Sequence, residues 1–307
     1  MKIIKGIIVN KRGTVSEAEK TLRSLGIEPS VGRFLHVMGV WFWDTKFDES
    51  DNRWRLLVDW AKKNRATVSV GTHIEYSKQE LEAAQLLHIR FEVDMKGDIG
   101  PSKGTKYDLT GACPYCNSGA AVVPPFCLEA RALPKKRIIA ESHQEVALIS
   151  GVLLEELQDR PGSQSWLIPV ADSKSAMSLA WAAILPRATL PRVEKATKGF
   201  FRYMKTGEHE WGPCPVCDQD NWSTTGDEPF QPVYSRSKVQ EACNPFLFLD
   251  QDFPDAAATW ERIYSGARPN GPDKVSTPFI FVNQKIYQIL KRHAGKYLRA
   301  IPATLID

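Results

Sequence analysis

Four cysteines in this chain have the types and spacing of a zinc site. They form two widely separated Cys-x-x-Cys pairs, Cys113 with Cys116 and Cys214 with Cys217. Zinc in a structural site takes four ligands in a tetrahedron, and one pair supplies only two of them. Because both pairs together supply four thiolates, the sequence predicts one closed structural zinc site formed by Cys113, Cys116, Cys214 and Cys217.

The residues around each pair favour similar tight turns. Proline follows the first cysteine of both pairs, at Pro114 and Pro215, and fixes φ there without disturbing a turn. The residue after the second cysteine of such a turn often takes a positive φ, which glycine, Asn and Asp adopt most easily. Here these residues are Asn117 and Asp218. The two half-sites are therefore expected to have the same local structure.

The alternative for these pairs is redox chemistry. Cys-Pro-Tyr-Cys is also the active-site tetrapeptide of glutaredoxins, where a helix after the motif lowers the pKa of one thiol. Pro124 and Pro125 interrupt any helical pattern after Cys116, which favours zinc. Two independent redox pairs or unbound thiols remain the alternatives. Cys127 and Cys243 have no near partner, and we expect them to be small buried residues and not ligands.

Composition and charge exclude several classes of protein. The chain has 307 residues, of which 43% are hydrophobic and 25% are charged, as in a globular protein with a real core. Its 40 basic and 36 acidic residues leave a net charge of +4, which is too small and too dispersed for a nucleic-acid footprint. We find no signal peptide and no stretch long enough to span a membrane. We therefore expect a cytoplasmic protein, whose reduced cysteines are able to bind metal.

The apolar pattern predicts the α+β class. We expect a smaller N-terminal α+β unit over residues 1–98 and a mixed α/β zinc-stabilised domain over residues 99–307, joined near the glycine-rich segment 96–106. In the first unit, strands are expected at residues 3–9 and 34–42, with a helix capped by Thr14 between them. In the second, a strand at residues 279–282 should precede a helix capped by Asn283.

Two further helices are predicted from capping boxes. The box at residues 77–80 should open a helix with Leu81, Ala84, Leu87 and His88 on one face. The box at residues 142–145 should open another, whose apolar stripe is Val146, Ile149, Leu153 and Leu157.

Several short motifs, in their order along the chain, carry a resemblance to a known family. They are residues 107–116 with Gly119, Pro125 and Phe126; residues 214–217; Thr259-Trp260-Glu261; residues 282–287; and Ile301-Pro302. This order and spacing resemble a family of poorly characterised bacterial proteins with two separated Cys-x-x-Cys motifs. Some members act as immunity proteins against contact-dependent or polymorphic toxins. Family members usually have glycine after each pair, where this chain has Asn117 and Asp218. The resemblance implies a metal-stabilised binding protein whose partner is a cognate toxin.

No catalytic residues are predicted. The six histidines lack metal-ligand spacing, although His209 near Cys214 is an alternative zinc ligand. No phosphate-binding loop, dinucleotide fingerprint or nucleophile elbow is found. We therefore expect a non-enzymatic immunity protein with structural zinc. An enzyme with an open zinc site is disfavoured, because four thiolates leave no vacant position.

Two further features of the sequence bear on function. Trp41-Phe42-Trp43, beside Asp44 and Asp48, suits either a hot spot for a basic partner or a buried strand, and the buried strand is favoured. The alternative to the immunity function is a zinc-ribbon nucleic-acid-binding or regulatory module. Its basic face would consist of Lys135, Lys136, Arg137, Lys195, Lys198 and Arg202.

Overall fold

The computed structural model describes most of the chain as two compact units. The described residues are 1–115, 117–142, 145–199, 201–202, 214, 216–217, 221–223, 229–247, 252–263 and 277–307. The first unit consists of Met1–Lys78 with a short segment that ends at Phe230, and the second unit contains the remainder. Both contain helices and sheets, so the predicted α+β class is confirmed.

The first unit is a single antiparallel sheet with two helices. Its elements are β1 (Lys2–Arg12), α1 (Val15–Ser24), β2 (Gly32–Val37), β3 (Val40–Asp48), α2 (Arg53–Lys63) and β4 (Thr67–Glu75). The strands lie in the order β2-β3-β1-β4, and each neighbouring pair is antiparallel. This βαββαβ sequence with that strand order is the ferredoxin-like arrangement.

Buried and more exposed side chains alternate along β3, and they show which face of this sheet packs against the helices. Trp41, Trp43 and Phe47 are buried among apolar residues of α1 and α2, such as Leu22 and Leu57. Successive side chains of a strand point to opposite faces, so one face of the sheet packs against the helices. The two tryptophans are therefore core residues, as the sequence favoured, and are not a binding hot spot.

The start of α1 confirms the prediction from sequence. Thr14 Oγ1 accepts a hydrogen bond from the Glu17 amide at 3.3 Å, and the Thr14 amide donates to Glu17 Oε2 at 2.7 Å. These reciprocal bonds satisfy two amides that have no partner inside the helix. Gly26, just beyond the helix, has φ +71°.

The second unit contains more and shorter elements. Its helices are α3 (Lys78–Ala83), α4 (Gly151–Gln158), α5 (Arg236–Cys243) and α6 (Gln284–Ala294). Its strands are β5 (Leu86–Phe91), β6 (Lys106–Asp108), β7 (Ala121–Val123), β8 (Phe126–Leu128), β9 (Ile139–Glu141), β10 (Ala147–Ser150), β11 (Leu167–Asp172), β12 (Ser178–Ile184), β13 (Phe201–Arg202), β14 (Asn221–Ser223), β15 (Val233–Ser235), β16 (Ala256–Ile263), β17 (Thr277–Asn283), β18 (Leu298–Pro302) and β19 (Thr304–Ile306). In the part of the chain that the structure describes, no helix has both the length and the apolarity that a bilayer span requires.

Two sheets and two helices enclose the main core of this unit. One sheet has the order β13-β14-β16-β17-β5-β18 and the other β8-β11-β12-β10-β9. The pairs β6–β7 and β15–β19 form two small separate sheets. Leu153 and Leu157 of α4 and Ile286 and Leu290 of α6 are buried against residues of both large sheets. The helix predicted after Asn283 is confirmed, with the Asn283 side chain accepting from the Ile286 amide at 3.0 Å.

The strand β5 corrects the first of the two predicted helices. α3 ends at Ala83, and Leu87 and His88 lie in β5, which pairs with β17 and β18. This pairing also explains why the division between the units falls after Lys78 and not at the expected boundary 98/99. β5 lies between β17 and β18 in the six-stranded sheet, so it belongs to the second unit together with that sheet.

The second predicted helix is also shorter than expected. Ile149 lies in β10, all four residues of which are buried, and Val146 precedes that strand. Gly151, with φ +57°, stands at the change from strand to helix. Only Leu153 and Leu157 of the predicted stripe lie on a helix, α4. A short apolar run fits a buried strand as well as a helix, and here the neighbouring strands β9 and β12 decide the outcome.

A buried carboxylate ties three segments of the second unit together. Asp255 precedes β16, and its side chain is 3% exposed. Its oxygens accept from Arg160 Nε at 2.7 Å and Nη2 at 3.0 Å, and from Asn283 Nδ2 at 3.0 Å. Since Asn283 also caps α6, this one acid links the segment after α4, the start of β16 and the start of α6.

Replacement of Asp255 with Ala should destabilise the protein by about 3 kcal/mol, because it leaves a largely buried guanidinium without its carboxylate. Chemical denaturation measures this free energy of unfolding. The matched control is Glu28→Ala, which removes the exposed ion pair with Arg23 and should cost less than about 1 kcal/mol. Equal effects of the two changes would contradict the anchoring role of Asp255.

Candidate metal centre

Three of the four predicted ligands lie together in the second unit. The Sγ atoms of Cys113 and Cys214 are 3.7 Å apart, and those of Cys113, Cys214 and Cys217 all lie within 4.8 Å of one another. The fourth predicted ligand, Cys116, lies outside the described residues. The structure thus brings one cysteine of the first pair to both cysteines of the second, and this group could hold a metal ion.

The sulfur spacing fits a tetrahedral zinc shell. With zinc–sulfur bonds of about 2.3 Å, two sulfurs of a tetrahedron are separated by about 3.8 Å. The Cys113–Cys214 distance of 3.7 Å is close to that value. A disulfide requires a sulfur–sulfur distance of about 2.05 Å, so these two thiols are not bonded to each other. The distance is compatible with two ligands of one ion, and also with a hydrogen bond between two thiols.

The first cysteine turn is held by a small hairpin. β6 and β7 pair antiparallel, with Tyr107 opposite Val122, and the turn lies in the loop between them. The Cys113 amide donates to the Ser118 carbonyl at 2.8 Å, and the Asn117 amide donates to the Cys113 carbonyl at 2.9 Å. These bonds join the backbone of Cys113 to the residues that follow its pair.

Two residues give this turn its backbone conformation. Asn117 has φ +54°, which confirms the expectation for the residue after the pair. Gly119 has φ +87°, and a Cβ there would lie 3.0 Å from the Gly111 carbonyl oxygen. The turn therefore needs a residue that tolerates positive φ at one position and glycine at the other. Asp218, the corresponding residue of the second pair, lies outside the described residues.

The cysteines differ in their access to water. Cys113 and Cys214 are buried, whereas Cys217 is exposed. Burying a thiolate costs free energy unless a positive charge compensates for the lost water. Three neighbouring thiolates also repel one another. A bound divalent cation would remove both costs, because its positive charge compensates for the negative charges of the thiolates.

The remaining cysteines lie outside this group, as expected. Cys243 of α5 is fully buried, and burial raises the pKa of its thiol to about 11. Its Sγ lies 3.9 Å from the Thr189 carbonyl oxygen. Cys127 in β8 is partly buried, and its Sγ donates to the Pro125 carbonyl at 3.6 Å. Neither thiol belongs to the metal group.

Five of the basic residues considered for nucleic acid are exposed, namely Lys135, Lys136, Arg137, Lys195 and Lys198. Arg137 Nη2 donates to Tyr297 Oη at 2.6 Å, and its guanidinium lies 4.3 Å from the centre of that ring. This side chain is therefore engaged within the protein. His209, the alternative zinc ligand, lies outside the described residues, as do the side chain of Arg202 and two residues of the predicted capping box, His143 and Gln144.

The sequence did not predict that Glu261, in the second unit, is buried. Glu261 of β16 is 1% exposed, and its Oε1 accepts from the Val193 amide at 2.8 Å. The only sequence signal was an acid inside an otherwise apolar strand, in the Thr259-Trp260-Glu261 motif. Its contact shows that this acid holds the segment around Val193.

A buried histidine belongs to the same sheet. His88 of β5 stacks against Phe279 and Phe281, with ring centroids 4.3 Å and 5.5 Å away. Burial, with a smaller contribution from the charge of Arg90, lowers the pKa of His88 to about 3. His88 is therefore neutral at physiological pH and packs as an aromatic ring.

Comparisons with protein-family models, with curated proteins and with solved structures find no match to this chain. The features that bear on function are therefore the cysteine group and the surface around it. Among the described residues, this is the one group of metal-ligating side chains close enough together to share an ion.

The positive φ of Asn117 leads to a test of the first turn. Asn117→Val should destabilise the zinc-loaded protein by roughly 1–2 kcal/mol, because a β-branched residue is strained in the left-handed region, whereas Asn117→Gly should be nearly neutral. Thermal unfolding of the two variants measures the difference. The control is Asn10→Val in the extended strand β1, where valine is favourable. Equal stability of the valine and glycine variants at this position would contradict the assigned turn.

Proposed function

We propose that this protein holds one structural zinc ion and acts without catalysis, by binding a bacterial toxin and neutralising it. The zinc ligands are Cys113, Cys214 and Cys217, with Cys116 completing the shell as the partner of Cys113 in its pair. The observation that carries the proposal is the group of three sulfurs within 4.8 Å, two of them 3.7 Å apart. This spacing suits a tetrahedral thiolate shell.

A structural role for the metal follows from the ligand type. A catalytic zinc keeps one position open for water or substrate and usually has three protein ligands. Four thiolates fill the tetrahedron and leave no such position. Within the second unit, the ion would connect the β6–β7 hairpin to a segment far along the chain, which stabilises a fold built from short strands.

Apolar side chains beside the metal support a binding function. Tyr115 and Val216 occupy the same position in the two pairs, and they are 46% and 58% exposed. Leu109, in the loop of the hairpin, is also exposed. Exposed aromatic and aliphatic side chains on a rigid support are typical of the centre of a protein interface. Zinc would fix the turns that present them.

The toxin as partner comes from the family resemblance described above. An immunity protein of this kind covers the active site of a toxin or another surface that the toxin needs. It works in the cytoplasm, where the cysteines stay reduced and available to the metal. The small net charge of +4 favours a protein partner over nucleic acid.

Purified protein should contain about one zinc per chain, measured by elemental analysis. Removal of the metal by a chelator should lower the free energy of unfolding by about 4 kcal/mol, the value for a ligand present at roughly a thousand times its Kd. Cys113→Ser and Cys214→Ser should lose zinc and much of the stability, because they remove buried ligands. Cys127→Ser is the matched control and should keep both. Zinc-free protein of unchanged stability would contradict the structural metal.

The partner is tested by affinity capture from lysate of the source organism, with nuclease treatment as a control. We expect a stoichiometric toxin whose activity the purified protein inhibits at a one-to-one ratio. Recovery of nothing, or only of partners that nuclease removes, would contradict the immunity function and favour the nucleic-acid module.

The captured partner also tests the surface beside the metal. Tyr115→Ala should weaken its binding by about 2 kcal/mol, roughly thirtyfold, because an aromatic anchor is removed. Zinc content should stay unchanged, since the side chain is exposed. The control is Leu56→Ala on α2, which replaces a similarly exposed apolar residue of the first unit. If both variants bind equally well, the interface lies elsewhere.

A further inference from the structure

Access to solvent is unequal within the cysteine group. Cys113 is 8% exposed and Cys214 is 5% exposed, whereas Cys217 is the most accessible of the three. All three sulfurs nevertheless lie within 4.8 Å of one another. A small reactant that diffuses from water therefore meets Cys217 first, and the sulfur that it modifies already has two neighbouring sulfurs.

A metal would make this exposed sulfur reactive. A thiol that coordinates zinc is deprotonated, and the thiolate is the form that attacks peroxides. Reactivity follows thiolate character together with exposure. Cys243 has neither property, because it is fully buried and burial raises its pKa to about 11. Cys127 is partly buried and lies outside the metal group. Cys217 combines both properties.

We propose that Cys217 is a site of oxidative modification by hydrogen peroxide, and that its disulfide with Cys214 releases the zinc. This inference rests on the zinc site of the proposed function and adds a way in which that site is opened. It gives the protein a form that depends on the peroxide level around it.

The reaction has two balanced steps. In the first, the Cys217 thiolate attacks one oxygen of hydrogen peroxide, a sulfur–oxygen bond forms, the oxygen–oxygen bond breaks and hydroxide leaves. The sulfur is oxidised by two electrons to a sulfenic acid, and the peroxide is reduced. In the second, the Cys214 thiolate attacks the Cys217 sulfur, a disulfide forms, and the sulfur–oxygen bond breaks with loss of a second hydroxide.

Geometry favours Cys214 as the resolving thiolate. It belongs to the same Cys-x-x-Cys pair as Cys217, and its sulfur is within 4.8 Å. A disulfide needs a sulfur–sulfur distance of about 2.05 Å, which two cysteines so close in sequence reach by a local movement. The product removes two thiolates from the shell. Zinc would retain only ligands of the first pair, which do not satisfy its preference for four.

The experiment uses the full-length, zinc-loaded protein with limiting hydrogen peroxide. A zinc-binding dye follows metal release, while differential alkylation and mass spectrometry identify the modified cysteines. We expect Cys217 to be modified first, a Cys214–Cys217 disulfide to form in step with zinc release, and a thiol reductant to restore zinc binding. First modification at Cys113, Cys116 or Cys127, or zinc release with Cys217 still reduced, would overturn the inference.

Variants give a second readout. Cys217→Ser should release zinc at least roughly tenfold more slowly under the same peroxide concentration, because the exposed thiolate is absent. Cys127→Ser should release it at the wild-type rate. If Cys217→Ser binds no zinc, its rate of zinc release is not measurable. The order in which the cysteines of the wild-type protein are modified then tests the inference. Wild-type protein that contains zinc and keeps it in peroxide overturns this inference alone, whereas protein purified without zinc overturns the zinc site as well.

Discussion

The convergence of three cysteine sulfurs is the contact on which the account of this protein depends. Cys113 lies in the hairpin loop between β6 and β7, and Cys214 lies about a hundred residues further along the chain, yet their sulfurs are 3.7 Å apart. Sulfurs this close would repel as thiolates, and two of them are buried. A divalent cation would compensate for both costs, so this group of sulfurs could hold a metal ion.

Local signals in the sequence predicted two helix caps and the conformation of one turn. The Thr14–Glu17 capping box and the Asn283 cap involve only neighbouring residues, and both are present in the structure. The positive φ of Asn117 is equally local. The approach of Cys113 to the second cysteine pair was predictable for another reason, because a tetrahedral ion needs more ligands than one pair contains. Coordination chemistry supplied long-range information that apolar periodicity does not carry.

Long-range strand pairing was the part that the sequence could not indicate. Leu87 fitted a helical face, but it lies in β5, whose partners β17 and β18 come at the far end of the chain. Ile149 likewise belongs to a buried strand between β9 and β12. Periodicity in a short apolar run does not distinguish these cases, and tertiary pairing overrides it. The buried acid Glu261 escaped notice because its partner is a backbone amide of a distant segment.

X-ray absorption spectroscopy at the zinc edge measures the ligands of the bound ion in solution, and so distinguishes a closed thiolate shell from an open site. We expect a shell of four sulfurs at about 2.3 Å. A shell in which nitrogen or oxygen at about 2.0–2.1 Å replaces one or more sulfurs would contradict it, since such a site has fewer than four thiolates and can be open to water or substrate.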